Sequence, residues 1–130
     1  MTCQHPFLER DSLMTVAEYV TMDSGTGCVH TAPGFGADDY QTCLRYQIDM
    51  VVPVDDRGIQ TEDAGMFAGM HYSKSNDAIQ TWLAEHGLLF ASQEISHSYP
   101  HCWRCKSPII FRATPQWFCS VDAFKEDAVA

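Results

Sequence analysis

The chain has 130 residues, which is enough for one domain with a hydrophobic core. Hydrophobic residues make up 45% of it and charged residues 19%, a globular composition that excludes an intrinsically disordered chain. The 17 acidic and 8 basic residues give a net charge of −9, which argues against nucleic-acid binding by this chain alone, because phosphate binding requires clustered lysine and arginine.

The first half of the chain predicts short strands around one helix. After a polar stretch with an HPF turn, where His5 fits a solvated turn better than a site, β-prone residues predict a strand over 14–20. A glycine-rich turn at 23–27 leads to a strand over 28–31, which Pro33 ends. A helix over 38–47 follows, and then a strand over 48–54 and a DDRG turn. The predicted apolar stripe of that helix is Tyr40, Cys43 and Leu44.

The second half predicts a helix and further strands. Ser73 or Ser75 is expected to cap the helix, and Gly87 fits the position just after its end. Strands are expected over 88–96, 109–112 and 116–121. This order indicates a mixed α/β (α+β) domain rather than a doubly wound sheet, and the unpunctuated ends of the chain indicate a piece of something longer. The predicted buried face of the helix is Ala78, Ile79, Trp82 and Leu83.

The stretch GTGCVHTAPGFGADDY, residues 25–40, predicts a small polar pocket. His30 ends a strand, glycine loops lie on both sides, and Asp39 falls in the first turn of a helix. A histidine can act as a base or a donor, and a carboxylate at a helix N-terminus can hold an ammonium group. The plainer interpretation, a structural histidine and a helix-capping aspartate, remains open from the residues alone.

The pair Cys102 and Cys105, in CWRC, has the spacing of a zinc knuckle. A structural zinc needs four ligands, so this is a half-site, to which His97 and His101 are candidate additions. Structural thiols and a redox dithiol are the alternatives. The other four cysteines are scattered, which fits a cytosolic protein better than a disulfide scaffold.

The remaining motifs limit the chemistry and the location. GxSxG is absent and no cysteine stands in an obvious Cys/His arrangement, so a hydrolytic pocket here would use water as its nucleophile. The acidic pair Asp55 and Asp56 fits a turn better than a catalytic pair. No signal peptide and no membrane-spanning run is visible, so we expect a cytoplasmic protein without a membrane partner.

The motifs GTGCVHTAPGFGADDY, VVPVDDRG, KSNDAI, HSYPHCWRCKSPIIF and RATPQWF, in this order from His5 to Val121, resemble the class I isoleucyl-tRNA synthetases. The resemblance implies the second half of the editing domain called connective peptide 1, which removes valine from mischarged tRNA(Ile). It assigns residues 1–96 to a partial, barrel-like editing sheet with flanking helices. It assigns residues 97–130 to a CxxC knuckle and strands that return to the catalytic core.

The resemblance also implies roles for individual residues. His30 would line the side-chain pocket and Asp39 would hold the α-ammonium group, with water as the nucleophile. Cys102 and Cys105 would supply half of a zinc site. The residues expected to bind the substrate around them are Gly25, Thr26, Gly27, Thr31, Gly34, Phe35, Gly36 and Asp38.

Departures from the family pattern limit these expectations. Phe35 stands where many bacterial members have histidine, so no catalytic role is assigned there. The threonine-rich editing segment and the partner CxxC are expected upstream of Met1. The HIGH and KMSKS signatures are absent, so ATP and Mg would bind elsewhere in the full enzyme.

The expected partners are the acceptor end of tRNA(Ile), valyl and isoleucyl esters, and a second copy of the chain. One alternative function is a non-catalytic zinc-knuckle interaction module. Another is a free-standing deacylase, but the negative charge of the chain argues against that one.

Overall fold

The computed structural model describes residues 1–23 and 25–129, which form a small mixed α+β structure, as predicted. Within these residues the sheet has two antiparallel strands, β1 (Thr2–Gln4) and β2 (Asp11–Leu13), paired in the register Cys3 to Ser12. The predicted barrel-like sheet is therefore wrong for this part of the chain. None of the predicted strands is paired along its length, although Val54 forms a single bridge to Gln60.

In the described part of the chain three helices follow the hairpin: α1 (Ala37–Arg45), α2 (Tyr72–Glu85) and α3 (Lys125–Val129). Short 3-10 segments span Glu62–Phe67 and Val121–Ala123. Helices α1 and α2 lie where the sequence predicts them because their signals are local: an acidic first turn in one and an apolar face in the other.

The details of the two helices correct two predictions. In α1 only Cys43 of the predicted stripe is buried, whereas Tyr40 and Leu44 are exposed. Helix α2 is capped by His71, whose Nδ1 accepts a hydrogen bond from the Ser73 amide at 3.4 Å, rather than by a serine. Ser75 instead lies fully buried inside the helix.

Other helix signals are confirmed. The predicted face of α2 is its half-buried side, and Gly87 follows the helix in a left-handed conformation with φ 67°. The DDRG turn forms around Asp55, whose Oδ1 accepts the amides of Arg57 at 2.9 Å and Ile59 at 2.8 Å. These bonds, above all the one from Ile59, hold the pKa of Asp55 below its ordinary value, so the residue serves the turn.

One part of the hydrophobic core, around Phe67, lies where the hairpin turn meets α2. The Phe7 ring contacts Phe67 and Trp82 edge to face, with centroids 5.0 Å and 5.7 Å apart. Beside them Gln60 Nε2 donates to the buried Ser75 Oγ at 3.0 Å, and Ser75 Oγ donates to the Tyr72 carbonyl at 2.9 Å. The hairpin, the 62–67 segment and α2 thus form one packed unit.

Residues 88–120 extend from this unit without regular secondary structure, and large side chains such as Phe90, Trp117 and Phe118 are almost fully exposed. A single bridge joins His101 to Pro108. The predicted strands at 88–96, 109–112 and 116–121 are therefore wrong. β-Prone residues form a strand only beside a partner strand, and these segments have none within the described residues. Among the described residues, no helix has the length and apolarity needed to cross a membrane.

Candidate functional site

The site begins with the turn at 25–27. Gly25 and Gly27 have φ values of 65° and 73°, in the left-handed region that favours glycine. Between them Thr26 Oγ1 accepts a hydrogen bond from the Cys28 amide at 3.2 Å. This confirms a turn at the predicted place, of which Ser24 lies outside the described residues.

The predicted strand over 28–31 is an unpaired segment instead. Cys28, Val29 and His30 are exposed, and Thr31 is half-buried. His30 therefore extends from a loop rather than from the end of a sheet strand. The reason is again the lack of a pairing partner within the described part of the chain.

A tight loop leads from this segment into α1. The Phe35 amide donates to the Ala32 carbonyl at 3.0 Å, and the Gly34 carbonyl accepts from the Ala113 amide at 2.7 Å. Gly34 is buried, and a Cβ there would lie 2.9 Å from Val52 Cγ2. The loop can approach the 51–52 segment this closely only because residue 34 has no side chain.

Asp39 closes the loop onto the helix. Its Oδ1 accepts the Ala32 amide at 3.0 Å, and its carboxylate also lies against Gly36, where an added Cβ would collide with it. Gly36 is the N-cap of α1 and has no side chain with which to cap it. Asp39, in the third helical position, therefore ties residue 32 to the helix N-terminus, whose dipole favours a carboxylate.

This arrangement bears on both interpretations of Asp39. The hydrogen bond to Ala32 is a structural role, as the plainer interpretation requires. A carboxylate has about four acceptor positions on its two oxygens, so the half-buried Asp39 can also accept from an ammonium group. The side chain is thus both held in place and chemically able to bind a cation.

His30 lies two residues before Ala32 in the same loop, and the structure also places His5 near it. The pKa of His5 lies below its ordinary value of 6.5, first because burial desolvates the ring and then because of the charges of Arg10 and His30. His5 Nδ1 accepts the amides of Phe7 at 3.3 Å and Leu8 at 3.1 Å, which confirms a turn role. Nothing in the sequence of the HPF motif indicates that His5 lies near His30.

Asp38, the neighbour of Asp39, faces a different feature. It lines an open cleft of about 530 Å³ together with Tyr19 and Arg45, and neither His30 nor Asp39 belongs to that lining. The cleft forms because α1 holds the 16–19 segment: Thr42 Oγ1 donates to the Tyr19 hydroxyl at 3.3 Å. The structure therefore separates Asp38 from the other predicted substrate-binding residues, which lie in the 25–36 loops.

Two cysteines belong to this region: Cys28 is exposed in the loop, and Cys43 is buried in the helix that follows the loop. Burial, followed by the Asp39 carboxylate, raises the pKa of the Cys43 thiol. A protonated buried thiol is a core residue rather than a nucleophile. The use of water as the nucleophile stays a prediction.

The CxxC segment forms a tight turn. The Cys102 amide donates to the Ser107 carbonyl at 2.8 Å, the Lys106 amide donates to the Cys102 carbonyl at 2.9 Å, and Lys106 has a φ of 60°. The residues offer zinc two sulfur ligands out of the four that a structural site needs. Among residues 1–23 and 25–129 no group of three or more potential metal ligands forms, and the addition of His97 or His101 to the two cysteines stays a prediction.

Comparison with known proteins gives a consistent result. The chain is 54% identical over 98% of its length to an isoleucine–tRNA ligase of Caldicellulosiruptor bescii. It is 56% identical over 92% of its length to one of Desulfotalea psychrophila, and 51% identical over 98% to one of Staphylococcus aureus. The chain spans about 14% of the length of these relatives. No protein-family model matches it.

Proposed function

The chain is homologous to a segment of the isoleucine–tRNA ligases, and we propose that it serves such a ligase as part of the site that hydrolyses valine wrongly attached to tRNA(Ile). The observation that supports this role most is the fixed position of the Asp39 carboxylate. The Ala32 amide fixes its carboxylate at the mouth of a glycine loop, where one face remains able to bind an ammonium group.

The chemistry of amino-acid selection explains why such a site is needed. One methylene supports a preference of only about 10- to 200-fold, a range for which isoleucine–tRNA ligases themselves are an established example. A second pocket that admits valine and excludes isoleucine removes the remaining errors. In this proposal Asp39 binds the α-ammonium group of the ester and His30 limits the size of the side chain.

The attack on the ester is assigned to water. The buried thiol of Cys43, in the helix that follows the loop, has a raised pKa. Asp39 would orient the ester through its ammonium group, and the backbone of the 32–36 loop would surround the reacting carbonyl. ATP, Mg and aminoacylation belong in this proposal to the remaining length of the ligase, and the acceptor end of tRNA(Ile) is its nucleic-acid partner.

The test uses a full-length S. aureus isoleucine–tRNA ligase in which this chain replaces the matching segment. We expect the hybrid to charge tRNA(Ile) with isoleucine and to accumulate no valyl-tRNA. The Asp39→Ala variant should accumulate valyl-tRNA, whereas the control Asp49→Ala, at an exposed position outside the loop, should not.

The two parts of the proposal fail separately. A hybrid that does not charge tRNA(Ile) with isoleucine would contradict the proposal that this chain is part of a working ligase. A hybrid that charges isoleucine but whose Asp39→Ala variant accumulates no valyl-tRNA would contradict only the editing role.

A further inference from the structure

The loop of the candidate site is held by a segment that lies far from it in the sequence. The Ala113 amide donates to the Gly34 carbonyl at 2.7 Å, and this is the one hydrogen bond that the carbonyl accepts within the described residues. Gly34 is buried and Ala113 is half-buried. A buried carbonyl without a donor is costly, so the loop depends on this contact with the irregular tract that follows α2.

Gly34 also packs on a second segment, which is itself fixed. A Cβ added at Gly34 would lie 2.9 Å from Val52 Cγ2. Next to Val52, the Pro53 carbonyl accepts a hydrogen bond from the Thr61 amide at 3.0 Å. The Val52 contact therefore limits how far the loop can move, and the Ala113 hydrogen bond fixes the direction of the Gly34 carbonyl.

The position of Gly34 bears directly on the carboxylate of the site. The Phe35 amide donates to the Ala32 carbonyl at 3.0 Å, and the Ala32 amide donates to Asp39 Oδ1 at 3.0 Å. Gly34 lies inside the short turn that these two bonds close. A displacement of its carbonyl therefore changes the position of the loop backbone relative to the Asp39 carboxylate.

We propose that Ala113 is a positioning residue of the candidate site, whose backbone amide holds the 32–36 loop in place beside the Asp39 carboxylate. The effect on hydrolysis depends on the proposed editing function, whereas the effect on the loop does not. Only the amide hydrogen is used, so every residue except proline can supply it. This explains why no side-chain pattern in the sequence indicates the role.

Amide hydrogen exchange in the 130-residue chain, measured by NMR, tests the contact without a substitution. The Ala113 amide should exchange at least about tenfold more slowly than the neighbouring amides of Ile110 and Phe111. Those two amides donate no hydrogen bond within the described residues.

A backbone substitution then removes the donor alone. Ala113→lactic acid replaces the amide with an ester and keeps the methyl side chain, and the Ala32 amide should then exchange at least about tenfold faster because the loop is no longer held. The matched control is Ala91→lactic acid, at an exposed position of the same tract whose amide donates no hydrogen bond within the described residues. Ala113→Gly keeps the amide and should leave the exchange of Ala32 unchanged. Circular dichroism checks the helix content of each variant.

The hybrid ligase tests the consequence for hydrolysis. Ala113→Pro also lacks the donor, and it should lower kcat for hydrolysis of valyl-tRNA(Ile) at least about tenfold, because a displaced loop misplaces the groups around the reacting carbonyl. KM and the charging of tRNA(Ile) with isoleucine should stay unchanged, which a general loss of folding would not allow. Ala113→Gly and Ala91→Pro should retain the full rate.

Three results would overturn this role for Ala113. They are an Ala113 amide that exchanges as fast as its neighbours, an unchanged exchange of Ala32 in Ala113→lactic acid, and full hydrolysis in Ala113→Pro. An unaltered hybrid that does not hydrolyse valyl-tRNA(Ile) contradicts the proposed function instead, and the exchange of Ala32 then decides whether Ala113 holds the loop.

Discussion

The hydrogen bond that Asp39 accepts from the Ala32 amide allows the structural and the functional roles of Asp39 to be tested separately. Asp39→Asn keeps a carbonyl oxygen that can accept the Ala32 amide but removes the charge. Asp39→Ala removes both. The two variants therefore distinguish the contribution of the carboxylate to the loop from its contribution to binding an ammonium group.

The magnitudes follow from the contact. A hydrogen bond to a charged group contributes about 1.5–3 kcal/mol, and a carboxylate in the first helical turn about 0.3–1 kcal/mol. Asp39 is only half-buried, so we expect Asp39→Ala to lower the free energy of unfolding by about 2 kcal/mol and Asp39→Asn by less than about 1 kcal/mol. Asp38→Ala, which loses only the dipole interaction, is the matched control.

Urea unfolding of the chain, followed by circular dichroism, measures these differences. In the hybrid ligase, Asp39→Asn should still lose hydrolysis of valyl-tRNA, because its neutral amide cannot neutralise an ammonium group. If Asp39→Ala and Asp38→Ala destabilise the chain equally, the loop contact contributes nothing. If Asp39→Asn retains hydrolysis, the charge is not needed.

Three other residues make predictions of their own. Hydrogen bonds from the Ser107 hydroxyl and amide lower the pKa of Cys105 to about 7. Iodoacetamide should therefore alkylate Cys105 before the chain's other exposed thiols at pH 7, and Ser107→Ala should slow that reaction, as peptide mass mapping will show. Because the pKa of His5 is lowered in the folded chain, the unfolded chain binds a proton at His5 more readily. The free energy of unfolding should therefore fall as the pH drops below 6.5. A His5→Gln variant whose urea midpoint kept the same pH dependence would refute this. Gly34→Ala should cost about 1–3 kcal/mol in urea unfolding because its methyl group would press on Val52, and an unchanged midpoint would contradict that packing.

The parts of the fold that the sequence predicted well have local causes. Helices α1 and α2, the DDRG turn and the left-handed Gly87 each depend on residues within a few positions of one another. The helix cap was harder to predict. Serine propensity suggested Ser73 or Ser75, whereas the N-cap of α2 is His71 and Ser75 lies inside the helix. The buried Ser75 accepts a hydrogen bond from Gln60, a residue 15 positions away in the sequence.

The non-local features could not be read from the pattern. Phe7 anchors the core through Phe67 and Trp82, yet it stands alone in a polar stretch with no periodicity. The predicted strands failed because a strand needs a partner for its hydrogen bonds, and the described residues provide almost none. In the site, the positions of His30 and Asp39 along the chain were evident, but the Ala32 bond that holds Asp39 was not.

The central claim is that this chain helps a ligase to hydrolyse valyl-tRNA(Ile), and hydrolysis of the preformed ester tests it most directly. The hybrid enzyme should hydrolyse valyl-tRNA(Ile) at least about tenfold faster than isoleucyl-tRNA(Ile), a difference of about 1.4 kcal/mol between the two barriers. Asp39→Asn should remove the hydrolysis, and His30→Ala should reduce the discrimination. Equal rates for the two esters, or full hydrolysis in Asp39→Asn, would contradict the account.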